Sequence, residues 1–209
     1  MRVELIKKEN ISDVQRRRCI DLMDPKRRAA VERITHQGVR ESTVCGEWLA
    51  KRMLSELSGM PVEEIRLARD HNGKPYVQNL PLYFSVSHSG ESVACAVSER
   101  PVGLDIEEKR ERDVGVARRI CSQKELDYVF SQHKGSDPLC KIYTRGQTPC
   151  VDEKERLRRF LRVWTAKEAF VKLTGEGIKG MKDADFFELL ARLKVQETED
   201  CILTVIEKE

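Results

Sequence analysis

Six consecutive residues, Val102-Gly103-Leu104-Asp105-Ile106-Glu107, constrain this chain more than any others. Side chains alternate across a strand, so Val102, Leu104 and Ile106 fall on one face and Gly103, Asp105 and Glu107 on the other. The first face needs a core. The second carries two carboxylates about 7 Å apart, which repel unless a cation lies between them. Oxygen donors of this kind suit a hard cation such as magnesium. A solvated strand face with ordinary charges is the plain alternative, and Asp-x-Glu alone does not decide between the two.

The strand divides the chain. Upstream, residues 3–6 read as a short strand, and residues 43–57 as a helix with Val44, Trp48, Leu49, Met53 and Leu57 at helical spacing, ended by Gly59 and Pro61. Extended segments follow near 65–68, 75–78, 83–88 and 92–98, with turns at 71–75 and at Ser89-Gly90. Downstream, helices are predicted over 113–121, 123–132 and 153–174, a loop over 133–152, and strands near 192–196 and 201–206. The class is α+β, in two halves, 1–101 and 102–209.

A chain of 209 residues, 40% hydrophobic and 35% charged, can bury a substantial core and has the balance of a soluble globular protein. No run approaches the roughly 18–20 apolar residues of a membrane span. The start, MRVELIKKEN, lacks the apolar stretch of a secretory signal, so a cytoplasmic location is expected. Seven cysteines form no CxxC pair and the four histidines add no zinc-ligand spacing, which predicts free thiols. A net charge of +3 is too small to argue for nucleic acid. Its distribution is uneven, with Arg16-Arg17-Arg18 and Lys26-Arg27-Arg28 near one end and an acidic stretch at the other. An anionic small ligand, an acidic protein partner or an ordinary solvated helix face all fit that pattern.

Two more constellations carry polar chemistry. In the helix around Trp164-Thr165-Ala166-Lys167-Glu168, the stripe through Leu157, Leu161, Trp164 and Val171 also runs through Glu168. A carboxylate there needs a partner. Lys172, one turn on, offers an i,i+4 ion pair; a metal shared with Asp105 and Glu107 is the other answer. In Phe84-Ser85-Val86-Ser87-His88, the histidine ends a strand beside a tight turn, where hydroxyls and an imidazole can hold a phosphate. Lys74, in the Gly73-Lys74-Pro75 turn, is either a surface lysine or a phosphate contact.

Gly73-Lys74-Pro75, Ser87-His88-Ser89, Gly103 through Glu107, Arg118 through Glu125, and Trp164 through Lys172 with its Leu173–Gly177 continuation stand in one order. Together they resemble the phosphopantetheinyl transferase superfamily, in its larger surfactin-synthetase-activating type, over roughly residues 20–180. The resemblance implies two similar α/β halves related by a pseudo-twofold axis, with the active site at their junction. It implies transfer of phosphopantetheine from coenzyme A to a serine of an acyl or peptidyl carrier protein, releasing 3′,5′-adenosine bisphosphate. Asp105, Glu107 and Glu168 would hold magnesium, with manganese as a substitute. Lys167 and Lys172 would neutralise phosphate charge, and Glu125 or a metal-held water would take the proton. Lys74, Ser87 and His88, helped by Lys26, Arg28 or Arg40, would meet the 3′-phosphate and adenine end. A monomer that engages neither nucleic acid nor membrane is expected. Three features depart from the family pattern: the 133–152 loop is longer, the second half ends one strand short of expectation, and the basic positions near the N-terminus align only loosely.

Overall fold

The structure, a computed structural model, describes residues 1–130 and 152–209, with backbone only at 178 and 179. In chain order the first half runs β1 (Arg2–Lys7), α1 (Asp13–Asp21), α2 (Pro25–Glu32), α3 (Gln37–Ser58), β2 (Leu67–Arg69), β3 (Pro75–Val77), β4 (Tyr83–Ser89) and β5 (Ser92–Ser98). The second half runs β6 (Val102–Glu108), α4 (Ala117–Ile120), α5 (Gln123–Phe130), α6 (Glu153–Thr174), α7 (Phe186–Leu189), β7 (Leu193–Glu197) and β8 (Cys201–Glu207).

Each half builds the same unit. Antiparallel strands lie in the order β1-β5-β4 in one and β6-β8-β7 in the other, while β2 and β3 form a separate hairpin. In both sheets the last strand of the half is central. Each half also has one helix of 22 residues, and both helices have a side-chain cap at the start and a left-handed glycine at the end. His36 caps α3 and Gly59 ends it; Asp152 caps α6 and Gly175 ends it.

The alternation of β5 shows how the layers stack. Val93, Cys95 and Val97 join the core beneath α3. Ala94 and Ala96, on the opposite face, pack with Leu104 and Ile106 of β6 and Leu203 and Val205 of β8 in a core shared by the two sheets. The outer face of the second sheet meets α6, where Thr165 and Thr204 hydroxyls lie 2.7 Å apart. Gly103 makes the closest approach: a Cβ there would overlap the Ala169 carbonyl oxygen and lie 2.6 Å from the Leu173 nitrogen. Only a glycine lets α6 rest directly on β6, and that brings the helix's polar residues to the carboxylate face.

Several expectations need correction. The helix expected over 43–57 runs Gln37–Ser58, starting six residues before the expected position, where His36 caps it. The stretch 113–121 is an α-helix only over Ala117–Ile120, after a 3₁₀ turn at Val114–Val116. Helices α1, α2 and α7 were not anticipated. Helix α1 has no apolar stripe around its three arginines, yet Ser12 and Gln15 form a capping box; α2 has Asp24 as cap and Pro25 at its first turn. Among the described residues the second sheet has three strands, as the first does. The 133–152 loop lies outside the described residues, apart from Asp152. Cys19, Cys45, Cys95, Cys121 and Cys201 are free thiols, and Cys140 and Cys150 also lie outside. No described helix is long and apolar enough to cross a membrane.

Candidate active site

Strands β4 and β6 are edge strands of different sheets, and they run side by side through hydroxyls instead of a backbone ladder. Ser85, Ser87 and Ser89 occupy one face of β4 by the strand period, and all three are buried. Ser85 Oγ accepts from the Leu104 N–H at 3.0 Å, and Ser89 Oγ accepts from the Glu108 N–H at 3.1 Å. Between them, Ser87 Oγ donates to Asp105 Oδ1 at 2.7 Å. This ladder sets the carboxylates of β6 against the serines of β4.

Asp105 is the centre of the cluster and is 5% exposed. Lys172 of α6 donates to its Oδ1 at 2.7 Å and to Ser87 Oγ at 2.8 Å. The other oxygen, Oδ2, is buried without a hydrogen-bond partner among the described residues. Burial pushes the Asp105 carboxyl up from its ordinary value, more than the Lys172 ammonium and the Ser87 hydroxyl pull it down. Glu107, two residues on, is paired separately: its Oε2 accepts from Ser89 Oγ and from Arg112, both at 2.8 Å. Glu168 is half-buried and, among the described residues, has no hydrogen bond or ion pair. Burial first, then the Asp105 and Glu107 charges, raise its carboxyl, with Lys172 opposing. Lys172 therefore reaches across to β6 instead of closing the i,i+4 pair with Glu168.

His88, one residue before the end of β4, lies at the exposed rim. Shielding from water, followed by the ammonium charges of Lys172 and Lys8, holds its imidazole below the usual range, although its exposed edge tempers that shift. Lys8 was not anticipated; it is buried, with an ion pair to Glu91 at 2.9 Å. Lys74 reaches from the β2–β3 turn to the end of α6, donating to the Leu173 carbonyl at 2.9 Å, while Asn72 of the same turn donates to the Gly175 carbonyl at 3.1 Å. These donors satisfy carbonyls that a helix end leaves open.

The structure does not bring every expected residue to this junction. Lys167 and Glu168 are adjacent on α6, hence about 100° apart around its axis. Glu168 faces the carboxylates; Lys167 points into the core of the second half, where it pairs with Glu125 at 2.9 Å. Both are buried, at 1% and 0% exposure, so neither meets a ligand at the junction as the side chains stand. Arg28 caps α1 through the Ile20 and Asp21 carbonyls. Lys26 and Arg40 are exposed and form no ion pair among the described residues. Arg27, between the two expected cations, is the one turned inward, to Glu47 at 2.8 Å. Arg112 was also missed; it follows the strand by only a few residues, but its partner is set by the path of the chain.

The donor set fits a hard cation, and Asp105 Oδ2 is the orphaned buried oxygen such an ion would satisfy. As the side chains stand, however, no three metal-ligating groups among the described residues are gathered closely enough to hold one. Lys172 and Arg112 supply the neutralising charge instead.

Residues 101–204 match the 4′-phosphopantetheinyl transferase superfamily, and residues 10–100 match the family described as 4′-phosphopantetheinyl transferase, N-terminal. The chain is 32% identical over 183 residues to the 4′-phosphopantetheinyl transferase psf-1 of Bacillus pumilus, covering 85% of this chain and 70% of that protein. It is 28% identical over 169 residues to the 4′-phosphopantetheinyl transferase Sfp of Bacillus subtilis, covering 80% and 67%. It is 34% identical over 141 residues to the 4′-phosphopantetheinyl transferase AcpT of Salmonella typhimurium, covering 66% and 62%.

Proposed function

The chain belongs to the 4′-phosphopantetheinyl transferase superfamily, to its Sfp type, and from that premise we propose that it moves the phosphopantetheine arm of coenzyme A onto a serine of an apo acyl or peptidyl carrier protein. The serine oxygen gives its proton to a water and forms a bond to the β-phosphorus, the pyrophosphate bridge breaks, and 3′,5′-adenosine bisphosphate leaves with the bridging oxygen and its electron pair. The observation that carries this reading is Asp105 Oδ2: a buried carboxylate oxygen with no partner, beside Lys172 and near Glu168, where the two halves meet.

Asp105, Glu107 and Glu168 would hold magnesium, or manganese in its place. A bound ion of this kind supplies Lewis-acid neutralisation of the pyrophosphate oxygens. The chain's own residues do the rest. Lys172, held at the junction by Asp105 and Ser87, neutralises the phosphoryl oxygens as charge builds on them. Ser87 faces this junction from β4, and His88, on the other face of that strand at its exposed rim, meets phosphate oxygens from the edge. Lys74 adds a cation where the β2–β3 turn meets α6. Lys26 and Arg40 are the exposed cations left to steer the anionic donor or an acidic carrier.

The test is mass spectrometry of a panel of apo carrier proteins after incubation with the chain, coenzyme A and magnesium. The expected result is a gain of one phosphopantetheine mass, abolished by chelation and reduced by about 10²-fold or more in Asp105→Ala, whose fold is retained. Full transfer in excess chelator, or an Asp105→Ala enzyme as fast as wild type, would remove the metal cluster from the reaction.

A further inference from the structure

We infer that Glu125 is a positioning residue, paired with Lys167 in a closed buried network that sets the rotation of α6, and that it does not receive the substrate's proton. The inference rests on the transferase reading and concerns how that site is held in place.

Every polar atom of the pair is engaged. Glu125 stands at the third position of α5 and forms a capping box with Ser122: the Ser122 N–H donates to Glu125 Oε2 at 2.7 Å, and the Glu125 N–H donates to Ser122 Oγ at 3.3 Å. Its Oε1 accepts the Phe186 N–H, at the start of α7, at 2.7 Å. Lys167 Nζ donates to Glu125 Oε2 at 2.9 Å, to the Met181 carbonyl at 3.0 Å and to the Ala184 carbonyl at 2.5 Å. An ammonium has three protons, and all three are used. With exposures of 0% and 1%, the network joins α5, α6, the 181–184 segment and α7 in a single hydrogen-bonded node.

A general base must come within hydrogen-bond reach of the proton it takes. Glu125 reaches none at the junction, and swinging it out would strand Lys167, Phe186 N–H and Ser122 N–H together inside the core. The position of the pair on α6 explains its use. Lys167 is one residue before Glu168, so fixing Lys167 against α5 and the 181–184 segment turns Glu168 toward Asp105 and leaves Lys172, one turn on, able to reach Ser87.

The experiment compares Glu125→Gln, Lys167→Met and the double variant in thermal melts and single-turnover transfer, with wild-type transfer as the control on the function itself. Glu125→Gln alone strands a buried ammonium and should lower both the melting temperature and the rate. Adding Lys167→Met removes that charge and should recover at least tenfold in rate over Glu125→Gln, and the acidic limb of its pH–rate profile should stay where wild type has it. A double variant that regains its melting temperature but stays about 10²-fold or more down, with the acidic limb gone, would overturn the inference and restore Glu125 as the base. Hydrogen exchange on the wild type decides independently of how the variants fold. Peptides covering Ser122–Leu126 and Met181–Phe187 should keep or deepen their protection when coenzyme A and magnesium bind. Loss of protection there on binding would also overturn it. Absent transfer by wild type would instead sink the functional reading.

Discussion

Asp105 shows at a single residue why this junction is a site and not merely a contact. One oxygen is satisfied twice, by Ser87 and Lys172; the other is buried with no partner. An unsatisfied buried acceptor costs on the order of 1–3 kcal/mol, which a folded protein tolerates where a ligand offsets it. Glu168 is in the same position, and it yields a prediction with a definite sign. Its carboxyl is raised by burial and by the neighbouring carboxylates. A raised value means that the folded state holds the proton more tightly than the unfolded chain, so its contribution to stability is present below the ordinary carboxylate value and is lost as pH rises through the raised one. At neutral pH without metal, Glu168→Gln should therefore melt above wild type. The gap should close as pH is lowered into the carboxylate range. With coenzyme A and magnesium the order should reverse, since wild type gains more from ligand. Thermal melts at the two pH values, with and without ligand, check both halves; a variant that melts below wild type at neutral pH without ligand would make Glu168 a stabilising partner instead. The sequence left Glu168 between an ion pair and a metal because i,i+4 spacing shows what Lys172 can reach on its own helix. It cannot show that β6 lies closer.

Legibility differs between elements for a physical reason. Strand β6 and helix α6 were readable nearly to the residue, because one alternates cleanly and the other has a long apolar stripe between an aspartate cap and a glycine stop. Helices α1 and α2 are held by caps and by one buried side chain each, Cys19 and Val31, so no stripe announces them. Gly103 belongs to this scale as well. In the sequence it is one small residue opposite a row of apolar ones; in the fold it is the contact point of two elements. Gly103→Ala should force α6 away from the Ala169 carbonyl and Leu173 nitrogen. The expected cost is about 1–3 kcal/mol, with transfer activity falling further than stability because Glu168 and Lys172 move with the helix. Melting and turnover measured on the same preparation test this. An alanine variant with wild-type turnover would mean that the helix can shift without disturbing the carboxylates.

Across the whole molecule, the two halves repeat one order of strands and helix but do not stand as separate cores. Ala94 and Ala96 of the first half pack with Leu104, Ile106, Leu203 and Val205 of the second, and the serines of β4 take over where a backbone ladder would otherwise join the edges. The change of element pattern near residue 100 is legible from the Val102–Glu107 strand and the helices that follow it. The shared core is not, because alternation assigns a residue to a face without saying which sheet covers it. The consequence is a prediction about cooperativity. Ser85 Oγ receives the N–H of Leu104, a residue with no exposure at all, so Ser85→Ala leaves a donor buried and unpaired. The cost should be about 1–3 kcal/mol, a drop of roughly 2–10 °C. Ser89→Ala should cost less, since Glu108 is only half-buried and water can replace the hydroxyl on its N–H. Wild type should unfold in one transition, with near- and far-ultraviolet circular dichroism coincident, because neither sheet buries its inner face without the other. Ser85→Ala should also show a smaller rise in melting temperature with coenzyme A and magnesium, as Asp105 and Ser87 lose their register. Two separated transitions in wild type, or a Ser85→Ala protein equal to wild type in both melting and ligand response, would mean that the halves are held together by something other than this seam.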